Sequence, residues 1–135
     1  MGKIQNVSNY NQEINASISE FIDNLDAYIE WCDFVICRCG AGTLSEISQK
    51  KRGMIMIPLP TSIDNHQYFN AVFYEEKNQG RIFQEKDSLD SLSYLLRKII
   101  HEKTYQDWKK EEPPIDHSRA ASLMLNEIHK DNAAI

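Results

Sequence analysis

Phe34-Val35-Ile36-Cys37 and Met54-Ile55-Met56-Ile57 are apolar at every position, and each run breaks into a turn-forming segment. Arg38 to Gly42 follows the first, Pro58 and Pro60 the second. A strand with one wet face alternates polar and apolar residues. A strand apolar throughout must be covered on both faces, as in a parallel sheet sandwiched between helices. The segment from Thr43 to about Lys51 has room for a crossover helix, so the two runs read as parallel strands joined with the usual right-handed connection.

The same alternation extends in both directions. Ile18, Phe21 and Ile22 suit a short strand, Asp23-Asn24 a turn, and Leu25, Tyr28, Ile29 and Cys32 recur at helical spacing. Thr43 followed by Glu46 has the pattern of a capping box at a helix start, with Gly53 closing that helix. Asp64 reads as the cap of a helix that turns Phe69, Val72 and Phe73 inward and ends at Gly80. Arg81-Ile82-Phe83 reads as a further strand. Leu89, Leu92, Leu95, Leu96, Ile99 and Ile100 mark the most regular amphipathic helix. A helical turn around Trp108 is separated by Pro113-Pro114 from a last helix carrying Leu123, Met124, Leu125 and Ile128. The expected fold class is α/β, a partial doubly wound parallel sheet. With 135 residues and 41% hydrophobic content the chain holds one core. Residues 1–16 read as a flexible polar arm rich in Asn, Gln and Ser, residues 17–130 as the domain, and residues 131–135 as a tail.

Charge narrows the partners. Lys+Arg 15 against Asp+Glu 20 gives a net charge of -5, so there is no basic excess to displace counterions from a nucleic acid. No apolar run approaches the roughly 18 residues of a membrane span, and the polar start Met1-Gly2-Lys3-Ile4-Gln5-Asn6 has no signal-peptide core. The expectation is a cytoplasmic chain. Cys32, Cys37 and Cys39 read as reduced thiols. Cys-x-Cys is not the usual zinc spacing and no histidine pair supports it, so no metal is expected. His101, His117 and His129 read as surface residues.

In parallel α/β sheets, ligands bind beyond the carboxyl ends of the strands, which here means Asp23-Asn24, Arg38 to Thr43, and Leu59 to Gln67. Gly40-Ala41-Gly42-Thr43 places backbone amides at a helix start, where they attract phosphate; equally, it is a tight strand-to-helix turn. Glu46 is either a capping carboxylate or an acceptor for a ribose diol. His66, Gln67 and Asn70 can converge from one first turn on a sugar, or form an ordinary wet helix start. Arg38 either braces the loop with its fork of donors or meets a phosphate.

Taken in order, Phe21-Ile22-Asp23-Asn24, then Asp33 to Glu46, then Pro58 and His66-Gln67-Tyr68-Phe69-Asn70-Ala71 resemble the donor-binding domain of the bacterial peptidoglycan GlcNAc transferases of the MurG type. The likeness covers about residues 17–100. It implies half of a two-domain inverting glycosyltransferase that moves GlcNAc from UDP-GlcNAc to a lipid-linked muramyl pentapeptide. By that resemblance the donor site comprises Ile22, Arg38, Gly40, Ala41, Gly42, Thr43, Leu44, Ser45, Glu46, His66, Gln67 and Asn70. Ile22 meets the uracil through its backbone, Ala41 to Thr43 hold the diphosphate, Glu46 takes the ribose, and His66, Gln67 and Asn70 address the diphosphate and GlcNAc. No cofactor is implied.

The family commonly has Gln where His66 stands. Its acceptor domain, which carries the proposed base and the membrane-contacting surface, has no counterpart here. No catalytic residue is therefore expected in this chain. An acceptor-domain chain or a homo-oligomer is expected as partner, and a peripheral position at the inner face of the membrane only through that partner. The alternatives are a soluble subunit of a two-chain lipid-linked GlcNAc transferase and a noncatalytic nucleotide-sugar-binding remnant.

Overall fold

Three parallel strands, β1 (Phe34–Cys37), β2 (Gly53–Met56) and β3 (Gly80–Ile82), lie side by side in chain order in the computed structural model, which describes residues 16–109 and 112. Phe34 is level with Gly53 and Cys37 with Met56; Met54 is level with Gly80 and Met56 with Ile82. The helices are α1 (Leu25–Trp31), α2 (Ala41–Gln49), α3 (His66–Glu76), α4 (Leu89–Glu102) and α5 (Thr104–Trp108). This is the expected α/β alternation with a parallel sheet. All but the final residue of the arm expected over residues 1–16, the last helix around Leu123, the tail, His117 and His129 lie outside the described residues.

Where length and composition lead one to expect a single core, β1 and β2 send alternate residues to two separate cores, one on each face of the sheet. Val35, Cys37, Met54, Met56 and Ile82 face α1, α2 and α3, where Ile29, Leu44, Ile47, Ala71 and Tyr74 close over them. Phe34, Ile55 and Ile57 face α4 and α5, meeting Leu92, Leu95, Leu96, Ile99 and Trp108. All four residues of β2 are buried, which accounts for its continuously apolar sequence. Arg52 ties the first layer together. Its guanidinium donates to the carbonyls of Glu30, Cys32 (2.9 Å), Lys50 (3.2 Å) and Lys51, serving the carboxyl ends of α1 and α2 at once.

Several local expectations are corrected. Ala16–Ile22 is irregular and exposed rather than a strand; it forms no ladder with β1 among the described residues, and an unpaired extended segment has nothing to hold it. Neither Gly53 nor Gly80 ends a helix. Lys51 (φ 57°) and Asn78 (φ 56°) take the left-handed turns after α2 and α3, and the two glycines open strands. Their smallness serves close approach: a Cβ on Gly53 would lie 2.0 Å from the Trp108 ring, and one on Gly80 2.1 Å from the Met54 carbonyl oxygen.

Helix α3 also differs in its rotation. Phe69 is 63% exposed, while Ala71 and Tyr74 are buried. The inward stripe is Gln67, Asn70, Ala71 and Tyr74, spaced i, i+3, i+4 and i+7, and Phe73 packs against the same core as expected. In α4 the inward stripe is Leu92, Leu95, Leu96 and Ile99, leaving Leu89 and Ile100 outside. His101 is exposed, as expected.

Candidate functional site

The β1–α2 junction forms the centre of the carboxyl edge. Gly40, in extended backbone (φ -64°, ψ 140°), is the residue before the helix, and no side chain caps it. Leu44 N–H closes the first helical bond on the Gly40 carbonyl at 3.1 Å, so the amides of Ala41, Gly42 and Thr43 have no acceptor within the helix. The expected capping box is therefore absent. Thr43 already stands inside the first turn, because the helix starts nearer Gly40 than the Thr-x-x-Glu pattern suggests.

Gly40 and Gly42 differ in kind from Gly53 and Gly80. A Cβ on Gly42 would meet nothing within 4 Å, and one on Gly40 only the Thr43 hydroxyl at 3.9 Å. Neither has a positive φ. The fold requires glycine at neither position, and glycine inside a helix is less favourable than alanine by about 1 kcal/mol.

Behind this turn, Leu44 and Ser45 are buried, Ser45 bonding to the Tyr74 hydroxyl. Their side chains belong to the inward stripe of α2 with Ile47 and Ser48. Glu46 is exposed. A hydrogen bond with the Asp26 carboxyl, then burial and the charge of Asp26, raise its pKa above the ordinary value, and Lys50 opposes the shift. Lys50 also lies 3.2 Å from Glu30 and 3.8 Å from Asp26. Thus α1 and α2 meet through carboxylates bridged by one lysine. Ile22 lies at the entrance to α1, partly exposed, just ahead of the Asp23-Asn24 turn. Asn24 caps α1, accepting from Ala27 N–H at 3.4 Å.

The first turn of α3 reaches across to the same loop. Gln67 Oε1 accepts from Cys39 N–H at 3.1 Å and from Leu59 N–H at 2.9 Å, and Asn70 Nδ2 donates to the Cys39 carbonyl at 3.0 Å. His66 is exposed. Asp64 is not the cap of α3: it lies in a 3-10 turn, Ile63–Asn65, at φ 53°, and Asn65 precedes the helix at φ 56° with no side-chain cap. The short polar side chains of Asp and Asn tolerate this left-handed backbone. Ser62 Oγ instead accepts from Gln67 N–H at 3.4 Å.

Arg38 braces. It forms a two-pronged pair with Glu85 at 3.2 and 3.3 Å, and donates to the Ile57 and Pro58 carbonyls at 3.5 Å. It thereby links the ends of β1 and β2 to the segment after β3. Two clefts flank these loops. One, of about 330 Å³, is walled by Pro58, Leu59, Pro60, Asn65, Tyr68 and Glu85 among others; the second, of about 430 Å³, includes Ile36, Arg38, Ile57, Phe83 and Leu92.

The structure thus gathers Gly40–Thr43, Gln67 and Asn70 around one loop and sets Glu46 on the adjoining helix face. It turns Arg38 to Glu85 and withdraws Leu44 and Ser45 into the core. Asp26, Glu85 and the Cys39 and Leu59 amides are the participants that sequence reasoning missed. No spacing pattern identifies them, since each is joined to its partner only by the crossovers. The described residues contain no cluster of three or more metal-ligating side chains. No described helix is long and apolar enough to cross a membrane.

Residues 2–125 match the glycosyltransferase family 28 C-terminal domain. A UDP-N-acetylglucosamine–N-acetylmuramyl-(pentapeptide) pyrophosphoryl-undecaprenol N-acetylglucosamine transferase from Vesicomyosocius okutanii is 39% identical over 83 residues, covering 61% of this chain and 24% of that protein. The like-named transferase of Rickettsia akari is 40% identical over 87 residues, covering 64% of this chain and 22% of that protein. The crystal structure of Acinetobacter baumannii MurG superposes with a TM-score of 0.67 at 23% identity, over 82% of this chain and 32% of that one. The chain therefore spans about a quarter of the length of the curated relatives it matches.

Proposed function

Because this chain belongs to the glycosyltransferase family 28 C-terminal domain family, we propose that it holds UDP-GlcNAc, the nucleotide-sugar donor, for transfer of GlcNAc to a lipid-linked muramyl pentapeptide. One observation carries the reading. Gly40 and Gly42 have neither a conformational nor a packing reason to be glycine, and both stand where uncapped amides open a helix. A glycine unexplained from within is explained by something that approaches from outside, and a diphosphate is what amides at the positive end of a helix attract.

On this reading the Ala41, Gly42 and Thr43 amides take the diphosphate charge, which grows as UDP leaves during inversion. Glu46 accepts from the ribose hydroxyls when ionised, the Ile22 backbone meets the uracil, and His66, Gln67 and Asn70 face the diphosphate and the hexose. Arg38 acts on the site by holding the strand ends to Glu85. The acceptor and the group that deprotonates it belong to a region beyond this chain's match, supplied by a partner chain or by further sequence. Any position at the membrane face comes through that region. The names of the relatives favour this reading over a soluble subunit of a two-chain lipid-linked GlcNAc transferase or a noncatalytic remnant.

Calorimetric titration with UDP and UDP-GlcNAc tests it. Saturable binding is expected, with Gly42→Ala weakening it about tenfold while leaving the melting temperature equal or higher, since alanine is the better helix residue. Glu46→Ala is likewise expected to weaken UDP binding with the fold intact. The proposal fails if the wild-type chain does not bind UDP either alone or with an acceptor-region partner.

A further inference from the structure

The oxygen of Gln67 is used twice. A carboxamide oxygen has two lone pairs, and Gln67 Oε1 takes Cys39 N–H and Leu59 N–H. Its acceptor capacity is consumed within the protein, and only its NH2 donors remain for anything outside. Asn70 is engaged only in part: one of its two Nδ2 hydrogens goes to the Cys39 carbonyl, which leaves the second hydrogen as a donor and Oδ1 as an acceptor. Both orientations are dictated by the partners, because an N–H must find an oxygen and a carbonyl must find a donor.

The residue they grip is the one before Gly40. The Cys39 N–H and carbonyl belong to the two peptide planes on either side of its Cα, and its side chain is fully buried. Cys39 is thus fixed at three points, while Gly40 beside it has no side-chain cap. We infer that Gln67 and Asn70 are positioning residues, which set the Cys39 peptides and hence the direction in which the Gly40–Thr43 amides point. Toward a ligand, Gln67 then offers donors alone, whereas Asn70 offers an acceptor and one donor. The consequence for binding rests on the donor-site reading; the clamp itself rests on the three hydrogen bonds.

Two variants separate acceptor from bulk. Gln67→Met keeps the length and removes the oxygen, whereas Gln67→Glu keeps an oxygen acceptor and removes the donors. In the ligand-free chain, amide hydrogen exchange at Cys39 and Leu59 should be about tenfold faster in Gln67→Met, as for a lost hydrogen bond, and close to wild type in Gln67→Glu. A merely structural role would alter exchange across the domain and would not be rescued by glutamate. UDP, titrated in parallel, should bind Gln67→Met at least about fivefold more weakly. Unchanged exchange in Gln67→Met, failure of Gln67→Glu to restore it, or unchanged UDP affinity despite freed amides overturns the inference. If exchange responds as stated while the wild-type chain does not bind UDP, the clamp stands and the donor reading falls.

Discussion

Cys39 is fully buried and Cys37 half-buried, and loss of water around the thiolate pushes their pKa values up to about 12 and about 11 from an ordinary 9.0. Burial also raises Cys32, whose Sγ donates to the Ile29 carbonyl at 3.2 Å, while the nearby Arg52 charge works against the shift. Only thiolate reacts quickly with alkylating agents. At pH 8, iodoacetamide should therefore modify Cys32 first and leave Cys37 and Cys39 intact until denaturant is added, as peptide mass analysis would show. The same shifts carry a sign for stability. The unfolded thiols ionise near 9 while the folded ones hold their protons to about 11 and 12, so stability should fall as pH rises through that interval, visible as a falling denaturation midpoint. At Glu46 the expectation is local. Asp26→Asn replaces a shared carboxyl hydrogen bond with an amide donor and should move the Glu46 titration downward in a carbon-detected NMR titration; an unmoved midpoint would refute the Asp26 contact as its cause.

At the scale of elements, β1, β2 and the inward face of α4 were legible because burial on one or two faces writes itself directly into apolar pattern. The rotation of α3 was not. Its aromatic residues look like core, and Phe73 and Tyr74 do pack there, yet Gln67 and Asn70 draw the polar side of its first turn inward to the Cys39 loop, and Phe69 is carried outward with the opposite face. Glycine was misleading for a related reason. Lysine and asparagine occupy the left-handed turns where glycine is expected, while Gly53 and Gly80 answer to contacts made by residues far away in sequence. Gly80→Ala should therefore destabilise by about 3 kcal/mol or more, because the clash is with the Met54 backbone, which cannot swing aside. Asn65, at φ 56°, gives a milder case: Asn65→Ala should cost about 1 kcal/mol and Asn65→Gly little, by chemical denaturation. The candidate site was half legible. Its glycines and amides show in sequence order, whereas the division of labour between bracing and contact depends on which side-chain atoms are already engaged.

At the scale of the whole molecule, the two sides of the sheet are finished differently. On the β3 side, Glu75 reaches from α3 and accepts the Ile82 N–H at 2.7 Å, so that edge is partly occupied. On the β1 side no strand follows among the described residues, Ile36 is 49% exposed within a strand, and Trp31 and Tyr28 of α1 stand 82% and 56% exposed. An open edge beside exposed apolar side chains invites pairing. The isolated chain should show concentration-dependent self-association in sedimentation velocity, and Ile36→Lys should shift it toward monomer without changing its helix content. Equal association in both forms would rule out this edge as the contact.

The exposure on the β1 side of the described residues bears on the lifetime of the chain in a cell. Proteases and chaperones act on chains that open, and a stability difference of about 1–2 kcal/mol, such as covering an apolar edge can supply, changes abundance several-fold. A chain with its β1 side bare would be cleared quickly, and one with that side occupied would persist. How long the protein lasts would then depend on whether something shields β1, so its measured half-life, with and without co-expressed candidates, becomes an assay for whatever covers that side.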